Sequence, residues 1–389
     1  MDSSASTLIL SPPLSLKTIN RENEALFFDT SLSEKQPNFP RQFLWPHEDL
    51  AFASQDELKD PPIDLNGYFN HDQESVGFMA KQIRQACLKH GFFQVINHGV
   101  DESLIRATYE HMDAFFKLPL SRKLGVKRKE GKFCGYSGAH ADRYSTKLPW
   151  KETFSFEYKH ANGPGCDVVS YINFALGKDF AEAGLVYQKY CEAMENLSLI
   201  ILELLAISLG LEEGFYYRDF FEDGNSIMRG NNYPPCKEAG LTFGTGPHSD
   251  PNSITILHQD QVGGLEIFAD NKWQTVQPRA DAFVVNIGDT FMALCNGRYK
   301  SCLHRAVVNK ERARRSLVFF VNPREDKIVR PPKDLIRRDE ARQYPDFTSS
   351  DLREFTQNHY RADTTTLQNF INWLHSNHKH HLSCQIMHL

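Results

Sequence analysis

Ser253-Ile254-Thr255-Ile256-Leu257, Leu265-Glu266-Ile267-Phe268, Ala282-Phe283-Val284-Val285-Asn286 and Leu317-Val318-Phe319-Phe320-Val321 are the runs whose reading decides the fold. The first two alternate or nearly so, the period of a half-buried strand, and the last two are continuous apolar runs suited to strands buried on both faces. Turn pairs recur among them: Gly263-Gly264, Asp270-Asn271, Gly288-Asp289 and Asn296-Gly297. Many short hairpinned strands between Arg229 and Val321 predict antiparallel sheets and a double-sheet jelly roll. The expected fold class is mixed α/β, mainly β, with a double-stranded β-helix (cupin-like) core and flanking helices.

Upstream of Ile227 the period is 3.6. Val76, Met79, Ile83 and Cys87 predict a helix from about Gln73 to His90, stopped before Gly91. Phe92 to Ile96 reads as a buried strand, Asp101-Glu102-Ser103 starts a helix toward Phe116, and a long helix follows from about Phe180 to Leu209. Downstream, Ser349-Ser350-Asp351 caps another helix and Leu367 to Leu374 forms one more. One large domain is expected, with a loose arm at 1–55 anchored by Phe43-Leu44-Trp45-Pro46, an α/β region at 56–225, the strand-rich core at 226–330, and C-terminal helices with a His-rich tail at 331–389. The basic run from Arg122 to Lys132 is read as a solvated loop, and His375 to Leu389 as a solvated, partly disordered tail.

A net charge of −5 over 389 residues argues against a nucleic-acid or membrane-surface partner. No apolar run approaches the roughly 20 residues of a membrane span. The N-terminus lacks the basic segment of a secretory signal; its serines suit a plastid transit peptide, but Asp2 and the lack of early arginines oppose one. The expected location is cytoplasmic, with the eight scattered cysteines reduced and mostly buried.

His-x-Asp occurs five times, at His47/Asp49, His111/Asp113, His140/Asp142, His248/Asp250 and His258/Asp260, so the motif alone identifies nothing. On a strand, residues i and i+2 share a face, whereas on a helix they diverge, which removes His111/Asp113. His248/Asp250, in Gly246-Pro247-His248-Ser249-Asp250, precedes the strand at Ser253, where ligands sit at the mouth of a barrel. His304, after the Asn296-Gly297 turn, supplies a third ligand from a distant strand, and a satisfied core histidine is its bland alternative. Two His and one Asp form the facial set of a non-heme Fe(II) oxygenase. Ten residues on, Arg314 can grip a carboxylate through its planar guanidinium, and Ser316 at i+2 adds a hydroxyl. A 2-oxo acid chelating the metal, with its far carboxylate on Arg314, is the chemistry of 2-oxoglutarate.

These residues, with Asn231-Asn232-Tyr233-Pro234-Pro235-Cys236, resemble the plant 2-oxoglutarate-dependent dioxygenases, a group that includes anthocyanidin synthase and the gibberellin oxidases. The similarity runs from Pro61 to about Pro332. Leu148-Pro149-Trp150-Lys151-Glu152-Thr153, Phe43-Leu44-Trp45-Pro46 and Gly244-Thr245-Gly246-Pro247-His248 through Asn286 to Leu294 look most like the gibberellin 20-oxidases. The resemblance implies that His248, Asp250 and His304 hold Fe(II), that Arg314 and Ser316 clamp the distal end of 2-oxoglutarate, and that Tyr233, with Asn231 beside it, binds the co-substrate. It implies O2 as oxidant, ascorbate as reductant, and an apolar diterpenoid acid as substrate, oxidised repeatedly at carbon 20 until that carbon is lost. Lys151 is a candidate for the cation facing the acid and Trp150 for a wall; the alternative is a surface loop holding a buried Trp anchor. The chain departs from the usual Leu-Asn-Tyr-Tyr-Pro-Pro-Cys at Gly230 and Asn232, leaving the chelate intact. Other readings are a plant dioxygenase of the same mechanism acting elsewhere on a gibberellin or on a flavonoid, a silent cupin-like binding protein, and a zinc hydrolase that would leave Arg314 without a task.

Overall fold

Two sheets, antiparallel except where Ile63–Asp64 pairs in parallel with Phe92–Ile96, position everything that follows. The computed structural model describes residue 28, residues 39–47, residue 50 and residues 56–141, 147–159, 167–211, 216–336, 341–359 and 366–386, with side chains throughout except at 358, 359 and 377–386. The strands are β1 (Ile63–Asp64), β2 (Phe92–Ile96), β3 (Gly135–Gly138), β4 (Glu152–Lys159), β5 (Asn225–Tyr233), β6 (Thr245–His248), β7 (Ile254–Gln259), β8 (Leu265–Ala269), β9 (Lys272–Thr275), β10 (Ala282–Ile287), β11 (His304–Ala306) and β12 (Arg314–Asn322). The larger sheet runs β1-β2-β10-β7-β12-β5-β4-β3 and the smaller β6-β11-β8-β9. From β5 onward the chain passes back and forth between the sheets, with the β8–β9 hairpin inside the smaller one.

The four decisive runs became β7, β8, β10 and β12. Phe319 and Val321 of β12 are fully buried, as expected of a strand flanked by β7 and β5. Leu265, Ile267 and Ala269 of β8 pack with Phe92 and Val284 of the larger sheet in one apolar cluster, so the two sheets face each other. Because β2 pairs with β10 and β4 with β5, the 56–225 and 226–330 regions share one sheet.

The helices α1 (Gln73–Lys89), α2 (Glu102–Phe116), α3 (Val168–Leu176) and α4 (Ala181–Leu209) cover that sheet. Asp72 and Asp101 accept backbone N–H groups at the starts of α1 and α2, satisfying donors that a helix end would otherwise orphan. Tyr187, Met194, Ile201 and Leu205 share the buried face of α4, and Tyr187 packs on Phe156 of β4 at 5.3 Å between ring centroids. Gly210, left-handed at φ 77°, ends that helix. Among the described residues no helix is long and apolar enough to cross a membrane.

Several expectations need correction. Gly288-Asp289 does not make a hairpin: Gly288 caps α5 (Asp289–Leu294), whose Phe291, Ala293 and Leu294 are buried. The C-terminal cap sits one residue early. Thr348 Oγ1 accepts from Asp351 N (3.2 Å) and Asp351 Oδ2 from Thr348 N (2.7 Å), a reciprocal box opening α6 (Ser349–His359). The His-rich tail is helical through Ile386, because α7 (Thr366–Ile386) grows out of a turn anchored by buried Leu367, Phe370 and Leu374. The basic run is not a solvated loop either. Its first part is helical over Leu120–Gly125, and Lys123 and Arg128 are buried, held by Glu152 and by Ser137 with His140.

Candidate active site

His248 closes β6 and His304 opens β11, and the two are direct cross-strand partners, which brings their ring centroids to 4.1 Å. The chain leaves β6 at Ser249, and Asp250 turns back toward the same point. Its Oδ1 lies 3.6 Å from His248 Nε2 and its Oδ2 3.7 Å from His304 Nε2. One ligand atom from each of the three lies within 4.8 Å of the others, and no other such group of His, Cys, Asp or Glu occurs among the described residues. Of the competing pairs, His258 is spent on Tyr109 (3.0 Å) and Ala280 O (3.1 Å), and Asp113 on Arg315. Asp49 and Asp142 lie outside the described residues.

His248 Nδ1 lies 2.9 Å from Gly246 O, and His304 Nδ1 3.2 Å from Cys302 O. A carbonyl can only accept, so each ring carries its proton on Nδ1 and turns an Nε2 lone pair toward Asp250. Burial, helped by the neighbouring His304, brings the His248 pKa down to about 3, keeping that lone pair free. Burial alone would raise the Asp250 carboxyl. The positive charge that His304 and His248 carry when protonated, together with hydrogen bonds from Thr255 Oγ1 (2.7 Å) and Asn286 Nδ2 (3.0 Å), outweighs burial and holds the group below the usual carboxylate range. Two imidazoles with Nε2 turned inward and one carboxylate on one side of a point suit a divalent iron.

The second half of the site lies on β5 and β12. Arg314 pairs with Tyr233 and Ser316 with Asn231 across these strands, so the four side chains alternate onto one face. Arg314 is 1% exposed. It donates from Nη2 to Gln259 Oε1 at 3.0 Å and stacks 4.9 Å from the Tyr233 ring centre, while its Nε and Nη1 are buried without a hydrogen-bond partner. A guanidinium in that state calls for an anion, since an unmet buried charge is costly. Ser316 Oγ accepts from Asn231 Nδ2 at 3.1 Å. The donor set therefore fits a dicarboxylate whose other end reaches a metal.

The chain matches known proteins over nearly its whole length. Residues 61–174 match the family described as "non-haem dioxygenase in morphine synthesis N-terminal", and residues 224–323 the 2OG-Fe(II) oxygenase superfamily. Gibberellin 20 oxidase 2 of Arabidopsis thaliana is 52% identical over 92% of this chain and 93% of its own length. Gibberellin 20 oxidase 2 of Oryza sativa subsp. japonica is 54% identical over 87% of this chain and 86% of its own. The chain belongs to the gibberellin 20-oxidase family. It is an Fe(II)- and 2-oxoglutarate-dependent dioxygenase. Among solved structures, JOX2 in complex with 2OG, Fe and JA superposes with a TM-score of 0.74 at 30% identity, covering 90% of this chain and 98% of that one. The rice dioxygenase for auxin oxidation gives 0.66 at 25% identity, covering 80% and 99%.

Within this gibberellin 20-oxidase family member, Lys151 and Trp150 take different positions. Lys151 is buried beside the clamp. Its Nζ donates to Thr245 Oγ1 at 2.9 Å and sits 5.9 Å from the Tyr233 ring centre, and no carboxylate is within ion-pair reach among the described residues. Burial, then the charges of Arg229, Arg128 and Arg314, push its pKa well below that of a free lysine. Trp150 is fully enclosed by Phe28, Phe39 and Phe43, with its N–H on Pro234 O at 3.2 Å. It anchors the arm from behind Lys151 and presents no open wall. The two departures from the family pattern also have physical reasons. A Cβ at Gly230 would meet the Met112 sulfur at 2.4 Å, and Asn232 Nδ2 donates to Glu152 Oε1 at 2.9 Å.

Residues that the sequence reading passed over complete the site. Thr255 and Asn286 hold Asp250, and Arg305 lies behind His304 on the opposite side of β11. Arg305 is buried, bonded from Nε (2.7 Å) and Nη2 (2.6 Å) to Glu266 and stacked 4.0 Å from the Trp273 ring centre. Trp45 of the arm lies against Gly246, where an added Cβ would come within 2.1 Å of the indole. Gly246→Ala is therefore expected to destabilise the protein by about 1–3 kcal/mol, and far less in a Trp45→Ala background. Thermal melting of the two single variants and the double variant measures this, and additive losses would show that the indole does not bear on Gly246. Thr255→Val is expected to weaken Fe(II) binding by about 10–100-fold with the fold intact, read by equilibrium dialysis of iron.

Proposed function

We propose that this protein oxidises a gibberellin precursor, a diterpenoid acid, in successive steps at carbon 20 and removes that carbon. The observation that carries the reading is Arg314, buried with two guanidinium nitrogens unpartnered, in a chain that also gathers His248, Asp250 and His304 at one point. His248, Asp250 and His304 hold the iron, oriented through Gly246 O, Cys302 O, Thr255 and Asn286. Arg314 and Ser316 receive the distal carboxylate of 2-oxoglutarate, with Tyr233 beneath the guanidinium and Asn231 steadying the Ser316 hydroxyl. When bound, the iron couples decarboxylation of 2-oxoglutarate to succinate with oxidation of the substrate by O2, and ascorbate keeps it reduced.

Lys151 meets the carboxylate of the substrate. A buried ammonium without an acid is poorly solvated, so an incoming carboxylate restores its charge and fixes the substrate's register beside the metal. Supporting this substrate class are the 52% and 54% identities with gibberellin 20 oxidases. The fold that carries the chemistry is read as a double-stranded β-helix, or jelly roll, over residues 226–330, because successive strands there alternate between facing sheets. Residues 56–225 extend its larger sheet.

The test incubates recombinant protein with Fe(II), ascorbate, 2-oxoglutarate and a carbon-20 gibberellin acid, and identifies the products. Alcohol, aldehyde and carbon-20-free products should appear in turn, with succinate formed in step. Oxidation at carbon 2 or 3 alone would overturn the substrate assignment.

A further inference from the structure

We infer that Glu152 is a positioning residue that fixes the co-substrate clamp and the substrate-facing lysine from the reverse side of the sheet. This rests on the roles proposed above for Arg314, Tyr233 and Lys151. Glu152 is fully buried and accepts three hydrogen bonds: Lys123 Nζ (2.6 Å) and Tyr136 OH (3.0 Å) on Oε2, and Asn232 Nδ2 (2.9 Å) on Oε1. Lys123 Nζ also donates to Phe116 O at 3.2 Å, so the end of α2 and the short helix after it are tied to the same carboxylate.

Alternation along the strands turns this anchor into a lever. Glu152 on β4 is the register partner of Asn232 on β5, and Asn232 is that of Arg315 on β12. Every residue next to one of these three in sequence points the other way. Those neighbours include Asn231 and Tyr233 beside Asn232 and Arg314 and Ser316 beside Arg315, and Lys151, just before β4, reaches the same face through Thr245 Oγ1 and the Tyr233 ring. The Glu152 hydrogen bonds therefore set the roll of β5, which carries Asn231 and Tyr233, and of the start of β4, which Lys151 immediately precedes. His248, Asp250 and His304 lie on β6, on β11 and in the loop after β6, outside the larger sheet, and receive nothing directly from Glu152.

This separation gives the inference a signature that a merely structural ion pair lacks. Glu152→Gln keeps the shape and removes the charge. A cavity of about 370 Å3 bordered by Lys123, Glu152 and Asn232 admits water to solvate the ammonium left behind. Asn232→Leu removes only the β5 hydrogen bond and keeps the Lys123–Glu152 pair, so it tests the idea even where Glu152→Gln does not fold. The experiment measures dissociation constants for Fe(II) and for 2-oxoglutarate, the latter in the iron-loaded protein, together with KM for the gibberellin acid and the melting temperature.

For Glu152→Gln the 2-oxoglutarate dissociation constant and the KM for the gibberellin acid should each rise about tenfold, with iron affinity within about twofold of the parent, and Glu152→Asp should recover neither. For Asn232→Leu, 2-oxoglutarate binding should weaken with a smaller change in the gibberellin KM. Unchanged 2-oxoglutarate binding in folded Glu152→Gln, or iron affinity falling in parallel, would overturn the inference. Arg314→Ala serves as the control: if it leaves 2-oxoglutarate binding intact, the clamp assignment itself fails, whereas if it alone weakens binding, only the role of Glu152 does.

Discussion

Replacing Asp250 by Ala abolishes iron-dependent turnover and weakens Fe(II) binding by more than about 100-fold, beyond what loss of an outer-shell partner costs. The reason is geometric as well as electrostatic. Asp250 supplies the anionic ligand of the trio and links the two rings, with Oδ1 3.6 Å from His248 Nε2 and Oδ2 3.7 Å from His304 Nε2. Without it, two imidazoles face each other across a gap, and the Thr255 hydroxyl and Asn286 amide lose the carboxylate oxygen to which both donate. The unmet donors should lower the stability of the iron-free protein by about 1–3 kcal/mol as well. His248→Ala and His304→Ala share the loss of turnover but spare those two donors, so they should melt closer to the parent. Iron dialysis, succinate release and thermal melting on the three variants check this. Full activity in any of them would move the metal elsewhere.

Arg314→Ala produces the opposite pairing of effects. Its 2-oxoglutarate KM should rise by about 10–100-fold, the equivalent of losing a charge-assisted hydrogen-bond pair of about 1.5–3 kcal/mol. Iron affinity should stay within about twofold, because Arg314 is on β12 and touches no metal ligand through any hydrogen bond described above. In the absence of co-substrate the variant should be no less stable than the parent, since the substitution removes a buried guanidinium with two unpartnered nitrogens. Arg314→Lys should not restore affinity, because a point-like ammonium cannot reproduce the planar fork. Titration of 2-oxoglutarate against succinate formation, beside melting curves without co-substrate, gives both halves. A lower melting temperature with unchanged KM would make Arg314 a structural residue and not a clamp.

Much of the metal site was legible because its logic is local. Arg314 and Ser316 are two residues apart on one strand, a period that a strand turns into a shared face, whereas Asp250 reaches His248 by a turn just past the end of β6. His304 was legible only in combination, as the upstream partner that gave Arg314 a purpose. The strands were legible where apolar runs are unbroken, as in Leu317 to Val321, which lies between two other strands. What the reading lost was non-local. Lys123 looks like any exposed lysine in a basic run until Glu152, 29 residues away, is placed beside it. Trp150 was equally ambiguous, because its environment is made by Phe28, Phe39 and Phe43 of the distant arm. Gly288-Asp289 carries the same letters whether it turns a hairpin or begins a helix, and only the burial of Phe291 and Leu294 decides.

The central place of β12 in the larger sheet has a consequence for how the protein is made. Its partners β5 and β7 leave the ribosome earlier, each with one long side unpaired until residues 314–322 arrive. For that interval the nascent chain exposes two apolar strand edges, the kind of surface that recruits other chains. The strand that closes this gap also delivers Arg314, so a chain able to bind co-substrate is one that has passed its most aggregation-prone stage. Slower synthesis or lower temperature during expression should accordingly favour active protein over total protein.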